Sequence, residues 1–191
     1  MVRKIFVGLF LVSLVFAMAS CGGKVKVQET SGYSCYNLHY VSEKGVTKGS
    51  YLNLTNWPGH GFVPYNTKVR VIPMSKGKMF ELTTDKGFSI RWAYDPSLMG
   101  MSADNYVKLI ISPTPVSYEG LSDIDRQGIE AGKALTGMSK QGVKIALGYP
   151  AKHMTPSLES NKWVYWTSAH DPIAVNFDQS GKVVSSGKVG K

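Results

Sequence analysis

Cysteine is nearly absent: 191 residues hold only Cys21 and Cys35. That excludes a disulfide-stapled scaffold and a cysteine-rich zinc module. No apolar run reaches the roughly 20 residues a membrane-crossing helix needs; the longest, residues 5–19, has 15. Acidic side chains are in the minority, 13 against 22 basic ones, for a formal charge of +9. The four histidines, His39, His60, His153 and His170, are dispersed, without the spacing of a metal site. No nucleophile elbow, phosphate loop or dinucleotide fingerprint occurs. No catalytic residue, metal or cofactor is therefore expected.

The amino terminus carries more information. Arg3 and Lys4 precede the apolar run, which closes on small residues, the layout of a signal peptide over residues 1–20. The order Met18-Ala19-Ser20-Cys21-Gly22 is that of the lipobox of bacterial lipoproteins, in which the cysteine is acylated and becomes the new amino terminus. Several buried acyl chains hold a protein stably where one is marginal. Lipid is thus the first expected partner, through Cys21. Gly22, rather than an aspartate, favours an outer-membrane address facing the periplasm. The mature chain keeps 20 basic and 13 acidic residues, a charge of +7 that draws it to anionic lipid or to acidic glycans. Nothing in that scattered charge suggests nucleic acid. Cys35 is left without an intrachain partner, and its neighbours Tyr33, Ser34 and Tyr36 read as strand, where a half-buried thiol is inert.

Residues 21–32 read as a lipidated tether and residues 33–113 as one small domain. Short β-branched and aromatic runs at 33–41, 50–54, 68–72, 79–83 and 88–94 alternate with Gly, Pro, Asn and Asp turns. Five such strands predict a small antiparallel barrel or sandwich, the Src-homology type of barrel being the commonest, closed by a helix that starts after Ser102. Residues 114–121, with their prolines, read as a linker.

Residues 122–187 predict a second domain. Ser122 and Asp125 make a capping box, and Gly128 and Gly132 on that helix imply close approach of another backbone. Ser139 caps the next helix, Met138 is placed to staple against Val143, Gly148 supplies a left-handed end and Pro150 stops continuation. Three strands follow, at 163–167, 173–177 and 183–185, with a turn at 178–181. The fold expected for the chain is α+β, the barrel being followed by two helices on a three-stranded antiparallel sheet.

Gly137-Met138-Ser139, Val143, Leu147-Gly148-Tyr149-Pro150, Trp163-Val164-Tyr165 and the turn from Phe177-Asp178 to Gly181-Lys182-Val183 resemble the SmpA/OmlA family of small outer-membrane lipoproteins, also called BamE-like. The resemblance covers residues 122–186. It implies a BamE-like α+β domain and a non-enzymatic accessory of outer-membrane protein assembly. Where the family carries an aromatic and an arginine that contact partner and lipid, this chain has Val164 and Ser168.

The expected function is an adaptor in cell-envelope or outer-membrane protein assembly, and the alternative is a peptidoglycan- or ligand-binding envelope lipoprotein. Trp163 and Trp166 fall on opposite faces of one strand, so one enters the core and the other is free for a partner. Val164 and Trp166 are the candidate partner-binding residues. The Gly59-His60-Gly61 segment reads as a barrel turn, and His170-Asp171 as part of a polar hairpin ended by Pro172.

Overall fold

The computed structural model describes residues 28–52, 58–74, 78–166 and 170–189. The signal segment, Cys21 and most of the tether lie outside them.

Alternating burial builds the larger sheet. Its strands are β1 (Thr30–Ser34), β2 (Leu38–Glu43), β3 (Val46–Ser50), β4 (His60–Val63), β5 (Lys68–Met74), β6 (Met79–Thr84), β7 (Ser89–Ala93) and β8 (Ile111–Ser112). Their order is β4-β2-β3-β7-β6-β5-β1-β8. Val69 and Val71, Phe80 and Leu82, and Ile90 and Trp92 are buried on the concave side, while Lys68, Arg70 and Arg91 are exposed. After the short α1 (Pro96–Met99), α2 (Ala103–Ile110) buries Tyr106, Val107 and Ile110 in the same core. There Trp92 Nε1 donates to the Tyr106 hydroxyl at 3.1 Å, and the Tyr94 ring stacks on Tyr106 at 4.4 Å.

This is not the expected five-stranded barrel. It is an eight-stranded sheet curled into a half-barrel, whose end strands β4 and β8 do not meet. The run at 33–41 divides into β1 and β2 because the chain between them bonds to helices: Cys35 N donates to Ile110 O and Asn37 N to Ile145 O. The strand expected at 50–54 falls partly outside the described residues; the strand described before it is 46–50, where Gly49 lets the Trp92 ring approach to within 2.6 Å of the position a Cβ would take. That strand pairs in parallel with β7, unlike its neighbours.

The rest of the chain forms α3 (Asp123–Ala131), α4 (Lys140–Leu147), β9 (Lys162–Trp166), β10 (Pro172–Phe177) and β11 (Val183–Lys188), with sheet order β11-β10-β9. The helix starts are held as their sequences dictate, with Ser122 and Asp125 completing the capping box and Ser139 accepting from Gly142 N. Asp125 also accepts from Ser139 N at 2.6 Å and Ser139 Oγ at 3.0 Å, tying the two starts together. At Gly128 the Met138 side chain lies nearest the position a Cβ would take, and the Lys133 backbone carbonyl is also close, at 2.9 Å. Gly148 has φ 77° and ψ −165°, a positive-φ end that is not the left-handed helical one.

The expected BamE-like two-helix domain is absent; the chain is mostly sheet, with four helices among the described residues. The physical reason lies in α4. A helix that serves one sheet buries one stripe, whereas α4 buries Gly142, Val143, Ile145, Ala146 and Leu147. Val143 and Leu147 share a core with Trp163, Val175 and Phe177 of the small sheet. The other side meets the large sheet, where the Tyr36 ring fits against Gly148. The linker residues are likewise bound to the large sheet, with Asn66 and Val116 exchanging two hydrogen bonds of 2.7 Å.

Candidate partner-binding surface

Strand β9 carries both residues expected to meet a partner. Trp163 enters the core, with its ring 4.9 Å from Phe177, and Trp166 on the opposite face is half-buried. Val164 shares the Trp166 face but is only 4 % exposed. Its amide donates to Thr155 Oγ1 at 2.9 Å, because residues 151–155 turn back over that face. Val164 is therefore buried within its own chain, and of the two expected partner-binding residues Trp166 is the more accessible.

What remains is a patch around Trp166. The His153 ring lies nearly parallel to the indole, with centroids 6.4 Å apart and planes 18° from each other. Met154, beside it, is 40 % exposed. The turn that presents them is pinned to α1, with His153 N donating to Leu98 O. Trp166 Nε1 is covered and has no hydrogen-bond partner among the described residues. A buried donor in that condition is costly unless it is satisfied. An aromatic ring and an exposed methionine are residue types that anchor a protein contact, and the exposed Lys152 beside them suits its polar rim.

The structure also brings together two histidines that the sequence leaves apart. Antiparallel pairing of β2 with β4 puts His39 Nδ1 2.9 Å from His60 Nε2. His39 Nε2 lies 2.7 Å from the Ala146 carbonyl, which can only accept. His39 must therefore carry its proton on Nε2 and accept at Nδ1 from His60 Nε2–H. Burial pushes the His39 pKa down to about 4; the Ala146 carbonyl opposes this and His60 adds to it. Burial, with Lys133 assisting, lowers that of His60 as well. Among the described residues no group of three or more metal-ligating side chains occurs. Through His39 Nε2 the pair ties strand β2 to the Ala146 carbonyl of α4. A separation of 21 residues gives no local signal for it.

Cys35 is half-buried, and burial raises its thiol pKa against the opposing charge of Lys144, which keeps it a poor nucleophile. His170 and Asp171 are exposed, and Asp171 lies 3.7 Å from Lys188. Cys21 lies outside the described residues. Comparisons with protein-family models, with curated proteins and with solved structures found no match.

Proposed function

We propose that this protein is an outer-membrane-anchored, periplasm-facing lipoprotein that acts as a non-enzymatic adaptor in cell-envelope or outer-membrane protein assembly. The observation that carries the reading is the lipobox ending at Cys21, nine residues before the first strand. Acylation there fixes the body beside a membrane, where a modest contact with a membrane-resident protein gains from high local concentration. The patch of His153, Met154 and Trp166 supplies such a contact. The assembly context is supported by the SmpA/OmlA-like residues Gly137-Met138-Ser139 and Leu147-Gly148-Tyr149-Pro150 as sequence alone, since the fold around them is not that family's two-helix domain.

The test is affinity purification of the acylated protein from its own membranes, side by side with Met154→Glu and Trp166→Glu. Met154 is exposed, so its replacement leaves the core intact. A partner retained by the unaltered protein and lost with Met154→Glu supports the reading. Partners unchanged by both substitutions contradict it.

A further inference from the structure

We infer that the cleft between β1 and α2 receives an extended segment of a partner protein, which adds to the free edge of β1 as a strand in line with β8. This contact is separate from the Trp166 patch and goes beyond the reading above.

Strand register exposes the edge. Ser34 N donates to Thr67 O, so Ser34 faces the β5 side, and Cys35 N donates to Ile110 O, so Cys35 faces the other. Backbone groups alternate in direction along an antiparallel strand. Tyr33 therefore faces β8, Gly32 and Thr30 face β5, and Ser31 turns its N–H and C=O to the β8 side. β8 does not reach it. Pairing stops with Tyr33 opposite Ser112. The residue that the register would bring opposite Ser31 is Thr114, and after Pro113 its N–H turns back to Ser112 Oγ at 3.3 Å. Among the described residues nothing bonds to the Ser31 backbone on that side. An open strand edge is a template for another strand, and β8 already occupies the same line one step further along.

Beside this edge lies a cleft of about 260 Å3, walled by α2. That is smaller than the roughly 300–1,000 Å3 of small-molecule sites, and it suits the side chains of a strand. Val107, Ile111 and Pro113 line it with apolar surface, and Asp104 and Lys108 stand one helical turn apart along it. Neither joins an ion pair among the described residues, whereas Glu29 is engaged with Arg70 at 3.5 Å. A strand edge beside a helix offers main-chain bonds for affinity and a side-chain pocket for specificity. The chemistry selects a segment with an apolar residue over Val107 and Ile111, and a basic and an acidic residue for Asp104 and Lys108. A second copy of this chain does not fit. Ser31 opposite Ser31 would set Glu29 opposite a Tyr33 that Ser112 already holds.

The probe is a display library of random heptapeptides, selected against the full protein in detergent. Selected peptides are expected to combine an apolar residue with a basic and an acidic one, and to slow amide exchange at residues 29–31 and 104–112. Ser31→Pro removes the outward N–H and none of the bonds to β5, a position where edge strands tolerate proline. It should weaken peptide binding about tenfold with urea unfolding unchanged. N-methylation of the peptide should abolish binding at alternate amides only, and it decides alone if Ser31→Pro does not fold. An empty selection, equal binding to a folded Ser31→Pro, or N-methylation tolerated at every amide would each overturn the proposal. Dimers of the unaltered protein that Ser31→Pro dissociates would give the edge to a second copy and overturn it as well.

Discussion

The helix pair α3 and α4 has two partners and meets them differently. Toward the three-stranded sheet it offers side chains, and Met138, Val143 and Leu147 close with Trp163, Val175 and Phe177 into one apolar core. Toward the eight-stranded sheet it offers backbone. The carbonyls of Ile129, Ile145 and Ala146, near the helix ends, accept from Asn37 Nδ2, Asn37 N and His39 Nε2. The last carbonyls of any helix lack intrahelical partners, and here residues of the large sheet supply them. The first contact is non-directional and scales with buried area. The second rests on a few directed bonds, each costly to leave unmade. One side of the helix layer is thus sensitive to volume and the other to hydrogen-bond loss and protonation.

The largest expected effect breaks the apolar side. Trp163→Ala should cost about 3–5 kcal/mol in urea unfolding, and a loss below about 1 kcal/mol would mean that the indole does not support the core. Next is acid. His39 in the folded chain has a pKa of about 4 against 6.5 when unfolded. The unfolded chain therefore binds the proton more readily. Stability is full above pH 6.5 and falls as pH drops toward 4, by about 3 kcal/mol. His39→Gln, which can still donate to Ala146 O, should flatten that slope in unfolding measured from pH 7 to 4; an unchanged slope would place the acid sensitivity elsewhere. Asn37→Leu comes third. It strands the Tyr65 amide that Asn37 Oδ1 serves and removes one of the two donors to the Ile129 carbonyl, which keeps Gly132 N, for about 2 kcal/mol, and its effect should appear in hydrogen exchange of the α3 end before that of β9–β11. The smallest is Val184→Ser. Val184 is 53 % exposed, and its replacement should stay within about 0.5 kcal/mol.

The same contrast separates what could be read in the sequence from what could not. Caps are local, so Ser102, the Ser122–Asp125 box and Ser139 stand where the sequence places them. Trp163 in the core and Trp166 on the other face follow from strand alternation alone. Val164 shows where alternation fails: its face is the outer one, but residues 151–155, read as a polar loop, fold over it. The contacts that join residues 33–113 to residues 122–187 escape the sequence for a related reason. Bonds from Asn37 to Ile129 and from His39 to Ala146 span 92 and 107 residues, and no periodicity records them. The His39–His60 contact was missed likewise, because strand register makes it. Of the candidate site, the position of Trp166 was legible, whereas its neighbours His153 and Met154 were not.

The anchor is the part of the functional account most fully written in residue order, and the proposed function depends on it. Mass spectrometry of the amino-terminal peptide of the mature protein, taken from its own membranes, tests it most directly. The expected product is a chain beginning at Cys21 with a diacylglycerol thioether on its sulfur and further acylation of its amino terminus. A chain that begins elsewhere, or a Cys21 with a free thiol, would contradict it.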